Sequence, residues 1–451
     1  MTHTDRHPSP EPSGSVLPVA VLGGGPVGLA AAAHLESAGA RPLLFEAGPS
    51  AGTSIREWGH VRLFTPWGFL IDSVARKLLG GTAWQPPPEE RLPTGAEFVE
   101  RYLEPLAAHP DLRPHLRFGR RVVGVSRKGM DKVKSEGRAE APFEIVVRTS
   151  RGETERHLAR AVIDASGTWT RPNPIGAGGL LAEGELEHAD RIRYSIPDVL
   201  AKHRPRYEGR RVLVLGSGHS AFNVIQDLVR LSRSGRGNAG EKTDVLWAIR
   251  REDPVLMFGG GERDALPARG NLGARLRALV EDEQVTFLTG FRAEGVRSAH
   301  DGRLQVLGEG DRAAGPVDEI IATTGFRPDL DLLRELRIEF DPWLEAPVRL
   351  APLIDPNRHS CGTVYPHGFE ELAHPDPDVY VVGMKSYGRA PTFLLLTGYE
   401  QVRSVVAALT GDLEAARDVR LTLPATGVCS TDLVAADAPA VISPGSPACC
   451  V

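Results

Sequence analysis

An α/β chain built on two separate parallel-strand modules is what this sequence predicts, and three observations predict it. First, Val19-Ala20-Val21-Leu22 runs into Gly23-Gly24-Gly25-Pro26-Val27-Gly28 and then an Ala-rich stretch to Ala38. Second, Arg211-Val212-Leu213-Val214-Leu215 runs into Gly216-Ser217-Gly218-His219-Ser220-Ala221 and a helical pattern to Leu231. Third, each module leads to another short apolar run, Leu43-Leu44-Phe45 and Val245-Leu246-Trp247-Ala248-Ile249. Short continuous apolar runs between glycines are what strands covered on both faces look like. Strands that alternate with helices imply a mostly parallel sheet.

The spacing of the glycines has a chemical reading. In a Rossmann-type dinucleotide site the first glycine permits the tight turn and the second lets backbone approach a pyrophosphate. The third lets the helix pack on the strand, and the helix N-terminus offers free N–H groups to the phosphates. Gly23, Gly25 and Gly28 fill these places, with Pro26 opening the helix. The following strand ends in Glu46-Ala47, with Glu46 23 residues beyond Gly23. A carboxylate there suits the ribose hydroxyls of an adenosine without a 2′-phosphate, as in FAD or NAD.

The second turn has Gly216, Gly218 and Ala221, with His219 and Ser220 opening its helix. Its following strand ends in Arg250-Arg251 and carries no acid. Guanidinium pairs bidentately with phosphate, so two arginines there favour a 2′-phosphate and hence NADPH. Two solvated arginines at a strand end are the plain alternative.

Length and composition agree with a multi-domain globular chain. At 451 residues, with 41% apolar and 25% charged residues, two or three domains of roughly 150 residues are expected. The net charge of −5 shows no basic stripe, which argues against nucleic acid and for a small-molecule partner. No segment approaches the ~18 apolar residues of a membrane span. Residues 1–16 are polar, lack the order of a secretion signal, and read as a disordered leader on a cytoplasmic protein. The four cysteines, Cys361, Cys429, Cys449 and Cys450, make no disulfide framework and fit a reducing compartment.

Composition marks the internal breaks. Ser232 to Thr243 is a polar loop inside the second module, and Gly129 to Ala141 is a charged excursion between strand candidates. The expected organisation is a first module over 17–170, a second over 171–328, a return to the first over 329–415, and a flexible tail over 416–451 that carries the Cys449-Cys450 pair.

With both modules in view, the chain resembles the two-dinucleotide-binding flavoproteins, and within them the flavin-containing monooxygenase-like branch, over about Leu17 to Leu409. Two bridging stretches carry the resemblance further: Ile163-Asp164-Ala165-Ser166-Gly167-Thr168 with Arg171-Pro172, and Ile321-Ala322-Thr323-Thr324-Gly325-Phe326-Arg327-Pro328. They look like connectors between an FAD domain and an NADPH domain, so the resemblance implies an NADPH domain inserted in a discontinuous FAD domain. It also implies cofactor contacts at Gly167 and Gly325, and an adenine contact through the backbone of Val122. Val379-Tyr380-Val381-Val382-Gly383 would be the last FAD-domain strand, and a helix from about Thr392 to Leu409 would aim its N-terminus at the isoalloxazine ring.

The departures from the branch are specific. Its FxGxxxH motif appears here as Ala182-Glu183-Gly184-Glu185-Leu186-Glu187-His188, without the Phe, and the Trp-Pro ending of the Baeyer–Villiger enzymes is replaced by Tyr194-Ser195-Ile196-Pro197. The Asn that many members carry has no counterpart in Leu63-Phe64-Thr65-Pro66-Trp67. Disulfide reductases of the wider group place a cysteine pair beside the flavin, and neither usual place holds a Cys here.

The expectation is an NADPH- and FAD-dependent monooxygenase-like oxidoreductase that uses molecular oxygen on a small molecule. The cofactor carries the hard chemistry, so no catalytic side chain is assigned. The resemblance extends to flavoproteins associated with arsenic-resistance and metal-efflux systems, which implies a trivalent arsenical as a candidate substrate. Adjacent thiols at Cys449 and Cys450 suit such a thiophilic metalloid. The alternative is an NADPH-dependent flavin reductase acting through that pair on a thiol-bound metalloid or disulfide.

Overall fold

The computed structural model describes residues 16–235, 242–254, 267–359, 367–391 and 393–419. The chain divides into two compact units. The first takes the described residues within Met1–Asn173, Phe326–Asp355 and Tyr365–Leu423, and the second those within Pro174–Gly325 and Pro356–Val364.

The first unit is centred on a parallel sheet with strands in the order Val379–Val381, Ala161–Asp164, Val19–Leu22, Pro42–Glu46, Leu116–Phe118. The central strand is wholly buried and its last residue, Leu22, lies opposite both Phe45 and Asp164. Helix Pro26–Ser37 follows the glycine turn. Its alanines are buried together with Val27, Leu29 and Leu35, because small side chains let the helix lie close on the sheet. Helix Leu395–Leu409 approaches the same helix at Gly398, where a Cβ would stand 2.8 Å from Val27.

The second unit repeats this plan in the order Thr286–Leu288, Asp244–Ala248, Arg211–Leu215, Glu319–Ala322, Ile192–Tyr194. Leu215 lies opposite Ala248 and Ala322, as Leu22 lies opposite Phe45 and Asp164. The repeat is longer than the two glycine turns that the sequence displays. In each unit a three-stranded antiparallel sheet lies in sequence between an edge strand of the parallel sheet, Leu116–Phe118 or Thr286–Leu288, and a neighbour of the central strand, Ala161–Asp164 or Glu319–Ala322. The first is Arg120–Arg127, Phe143–Thr149 and Thr154–Ala159, and the second is Ala293–Ser298, Leu304–Gly308 and Arg312–Val317. In Phe143–Thr149 alternate residues are buried, so Phe143, Ile145 and Val147 face a core while Glu144, Val146 and Arg148 take the other face.

Described residues within two expected breaks are tied into the fold. Helix His219–Ser234 continues past Ser232, whose hydroxyl donates to the carbonyl of Thr243 at 2.6 Å and closes the base of the excursion. Arg138, inside the charged stretch Gly129 to Ala141, is buried and pairs bidentately with buried Asp376 at 2.8 and 2.7 Å. Arg127 completes this cluster, donating to the carbonyl of Pro377 with its guanidinium 3.7 Å from the ring centre of Phe143. Among the described residues no helix is long and apolar enough to cross a membrane.

Candidate functional site

The three glycines of the first turn have three separate physical reasons. Gly23 has φ +103, and a Cβ there would lie 2.7 Å from the carbonyl oxygen of Ala165. Gly28 packs so tightly that a Cβ would overlap the carbonyl oxygen of Gly23. Gly25 is different, because a Cβ there would meet no atom of the described residues within 4 Å. Protein packing therefore explains two of the glycines and leaves the middle one facing open space. Among the described residues the helix that begins beside it has no side-chain cap on its N-terminal N–H groups.

The second turn repeats the arrangement. Gly216 has φ +129 and would clash with Thr323, while Gly218 again faces open space. Ala221 is buried in the place of the third glycine, and helix His219–Ser234 also lacks a side-chain cap. In both units the first glycine packs on the connector after a neighbour of the central strand, Ala161–Asp164 or Glu319–Ala322. The amide of Ala165 donates to the carbonyl of Leu22 at 2.9 Å, and that of Thr323 to Leu215 at 2.8 Å. Trp247 stacks on Phe287 and donates its indole N–H to the Gly216 carbonyl at 2.8 Å, tying the turn to the neighbouring strand.

Glu46 is half-buried at its strand end and held at both oxygens. The amides of Gly24 and Gly48 donate to it, each at 2.6 Å. A carboxylate accepts about four hydrogen bonds, so roughly two positions remain for a ligand. Glu46 lines a cleft with Gly23, Gly25, Ser166, Gly167 and Gly383. Ala47 follows it as an exposed residue. Gly383, with φ +70, donates its amide to Gln401 Oε1 at 2.7 Å, and Gln401 in turn contacts His367 and Ser386. Trp169 also lines the cleft and stacks on Phe326, ring centres 4.5 Å apart.

The remaining candidates are placed as follows. Gly167 and Gly325, in the two connectors, both take positive φ, at 69 and 86. Val122 sits where strand pairing shifts register before Gly124, so its backbone leaves the regular ladder. Arg250 and Arg251 are exposed just beyond the strand Asp244–Ala248, on the edge of the sheet where the Gly216 turn also emerges. The guanidinium of Arg250 donates to the carbonyl of Ala177 at 3.0 Å. His219 and Ser220 begin the helix, with the exposed His219 ring against Phe222. Helix Leu395–Leu409 starts after the expected position, and Thr392 lies outside the described residues. Cys361, Cys429, Cys449 and Cys450 lie outside them as well. Among the described residues no cluster of His, Cys, Asp or Glu has the arrangement of a metal site.

Several residues at these places escaped sequence reasoning. In the FxGxxxH-like stretch, Gly184 is needed because a Cβ would strike the Val296 carbonyl, so the retained glycine is a packing feature. Glu185, which reads as a surface acid, is buried and accepts from the amides of Ile175 at 3.0 Å and Ala182 at 2.7 Å, and from the hydroxyl of Tyr194. Burial, reinforced by that facing carboxylate, pushes the Tyr194 hydroxyl well above its ordinary range. At the cleft, Asp164, Ser166 and Lys385 form a hydrogen-bonded group that no motif announces.

Two parallel sheets, each with an open glycine turn at a bare helix N-terminus, define a protein with two dinucleotide-binding modules. The model of the pyridine nucleotide-disulphide oxidoreductase family matches residues 17–348, and the chain belongs to that family, whose members are flavin-dependent oxidoreductases that bind FAD and NAD(P)H. Among solved structures it is similar to the bacillithiol disulfide reductase Bdr (YpdA) from Bacillus cereus. Identity there is 18%, coverage 88% of this chain and 99% of that chain, and the TM-score 0.65. It is also similar to DfoA, the FAD-bound cadaverine monooxygenase of desferrioxamine biosynthesis from Erwinia amylovora. That match has 15% identity, coverage of 92% and 99%, and a TM-score of 0.62. Ornithine hydroxylase PvdA from Pseudomonas aeruginosa gives 14% identity, coverage of 88% and 100%, and a TM-score of 0.57. At these identities the likeness is one of fold. No curated protein matches the sequence.

Proposed function

We propose that the chain is an NADPH- and FAD-dependent monooxygenase-like oxidoreductase acting on a small molecule in the cytoplasm, with FAD in the first unit and NADPH on the second. The observation that carries the reading is the pair of glycine turns, each open at its middle glycine, one beside Glu46 and the other beside Arg250 and Arg251. When bound, FAD supplies the redox chemistry, taking two electrons from NADPH and passing them to oxygen.

The chain's own residues bind, orient and exclude water. Gly25 leaves room for the FAD pyrophosphate against the helix that starts at Pro26. Glu46, already oriented by two backbone amides, accepts from the adenosine ribose. Val122 offers its backbone to the adenine, and Gly167 and Gly383 border the flavin half. Gly218, His219 and Ser220 receive the NADPH pyrophosphate, while Arg250 and Arg251 take its 2′-phosphate. The stacked Trp169 and Phe326 keep water from one side of the cleft.

The substrate class we favour is a trivalent arsenical, captured by Cys449 and Cys450 outside the described residues. One atom of oxygen enters the substrate and the other leaves as water. The alternative, a flavin reductase of a thiol-bound metalloid or disulfide, uses the same cofactors and is in keeping with the description of the family. Turnover of trivalent arsenic with NADPH under isotopically labelled oxygen tests the choice. Label in the oxidised product supports the monooxygenase. Unlabelled product or none, with NADPH consumed on adding a disulfide, supports the reductase.

A further inference from the structure

We propose that Ser166 is a hydrogen-bond acceptor for a hydroxyl of the flavin's ribityl chain, held in that state by the buried Asp164–Lys385 pair. The inference rests on the reading that FAD occupies the cleft of the first unit.

Ser166 is an exposed residue that lines the cleft, whereas Asp164 and Lys385 are wholly buried. Ser166 donates its hydroxyl proton to Asp164 Oδ1 at 2.6 Å, and its amide donates to the same oxygen at 3.0 Å. Lys385 Nζ donates to Asp164 Oδ2 at 2.6 Å and to Ser166 Oγ at 3.0 Å. A serine hydroxyl has one proton and two lone pairs. The proton is committed to a buried carboxylate in a charge-assisted bond, and one lone pair is taken by the ammonium. What remains toward the cleft is a single lone pair.

That restricts the ligand chemistry. A phosphate oxygen only accepts, so it gains nothing from this hydroxyl, and the Lys385 charge is already matched by Asp164. A ligand O–H or N–H gains a hydrogen bond. The sheet order says which part of a dinucleotide arrives there. Strands Ala161–Asp164 and Pro42–Glu46 flank Val19–Leu22 on opposite sides, so Ser166 and Glu46 lie on opposite sides of the glycine turn. With the adenosine ribose on Glu46 and the diphosphate across the turn, the polyol chain of the other half comes over Ser166.

The test uses apoprotein and two ligands, FAD and ADP, with affinities measured by calorimetry and thermal stability measured alongside. ADP spans Glu46 and the turn but carries no ribityl chain. Ser166→Ala is expected to weaken FAD about tenfold, the effect of one hydrogen bond, and to leave ADP unchanged, while loss of the bonds to buried Asp164 and Lys385 lowers the melting temperature. Ser166→Thr, which keeps the hydroxyl, is expected to restore FAD affinity. Equal weakening of FAD and ADP would overturn the proposal, because the hydroxyl would then serve the half they share. Unchanged FAD affinity would overturn it too. Unaltered protein that binds ADP but not FAD would remove the flavin reading itself, and this inference with it.

Discussion

The ammonium of Lys385 stands 2.6 Å from Asp164 Oδ2 with neither side chain exposed, joining a strand end to a turn 221 residues further along the chain. Removing one member of such a pair leaves an uncompensated buried charge. Lys385→Met is therefore expected to cost about 3–5 kcal/mol in urea unfolding. The double variant Asp164→Leu with Lys385→Met should recover much of that loss, since no charge then remains without a partner. A double variant no better than the single one would show that the pair does not act as a unit.

Gly25 and Gly28 separate ligand space from packing space. Gly25→Val adds a side chain where no protein atom stands, so unfolding should be unchanged while FAD retention is lost. Gly28→Val must displace the backbone at Gly23, so stability should fall first, by about 1–3 kcal/mol or more. Full flavin content in the Gly25 variant would remove the first turn from the FAD site.

Arg250 and Arg251 are expected to select NADPH over NADH. Losing charge-assisted phosphate contacts costs about 1.5–3 kcal/mol, roughly one to two decades of affinity. Changing both to Ala should weaken NADPH by that amount and leave NADH nearly unchanged in binding titrations. Equal losses for the two nucleotides would assign the arginines another role, such as the Arg250 bond to Ala177.

His374 should make the protein acid-sensitive. Burial pushes its imidazole down to about 4, and its Nδ1 accepts from the amide of Glu339 at 3.3 Å. Between the unfolded value of about 6.5 and the folded value, the unfolded chain binds a proton that the folded chain does not. Stability is then complete above about pH 6.5 and falls as the pH drops towards 4, by an amount on the order of 3 kcal/mol. His374→Asn keeps an acceptor and cannot titrate, so its unfolding free energy should be flatter across that window. An unchanged slope would assign the acid sensitivity to other groups.

The parts of the fold legible in the sequence are those written locally. Gly23, Gly25, Gly28 and Glu46 stand within one strand–turn–helix–strand run, and the turn's needs fix their spacing. Arg250 and Arg251 stand in the corresponding place after the strand Asp244–Ala248 of the second run. Ser166 and Lys385 were not, because their meeting depends on the strand Val379–Val381 returning to the edge of a sheet begun at Val19. Glu185 and Arg138 read as surface charges because their partners, a tyrosine hydroxyl, backbone amides and Asp376, are supplied by tertiary structure. The antiparallel sheets were obscure for another reason, since their strands are apolar on one face only and pair across the chain rather than around a glycine turn.

The discontinuity of the first unit bears on how the chain assembles as it is made. Every strand of the second parallel sheet lies between Ile192 and Ala322, so that sheet is complete as soon as its own segment has emerged. The first sheet begins earlier and finishes later, waiting for Val379–Val381 to cover Ala161–Asp164. Until then that strand presents an open edge of unpaired amides and carbonyls. The intervening segment can therefore complete its sheet while the first is still unfinished, and the open edge of Ala161–Asp164 is a place where mispairing during synthesis is expected.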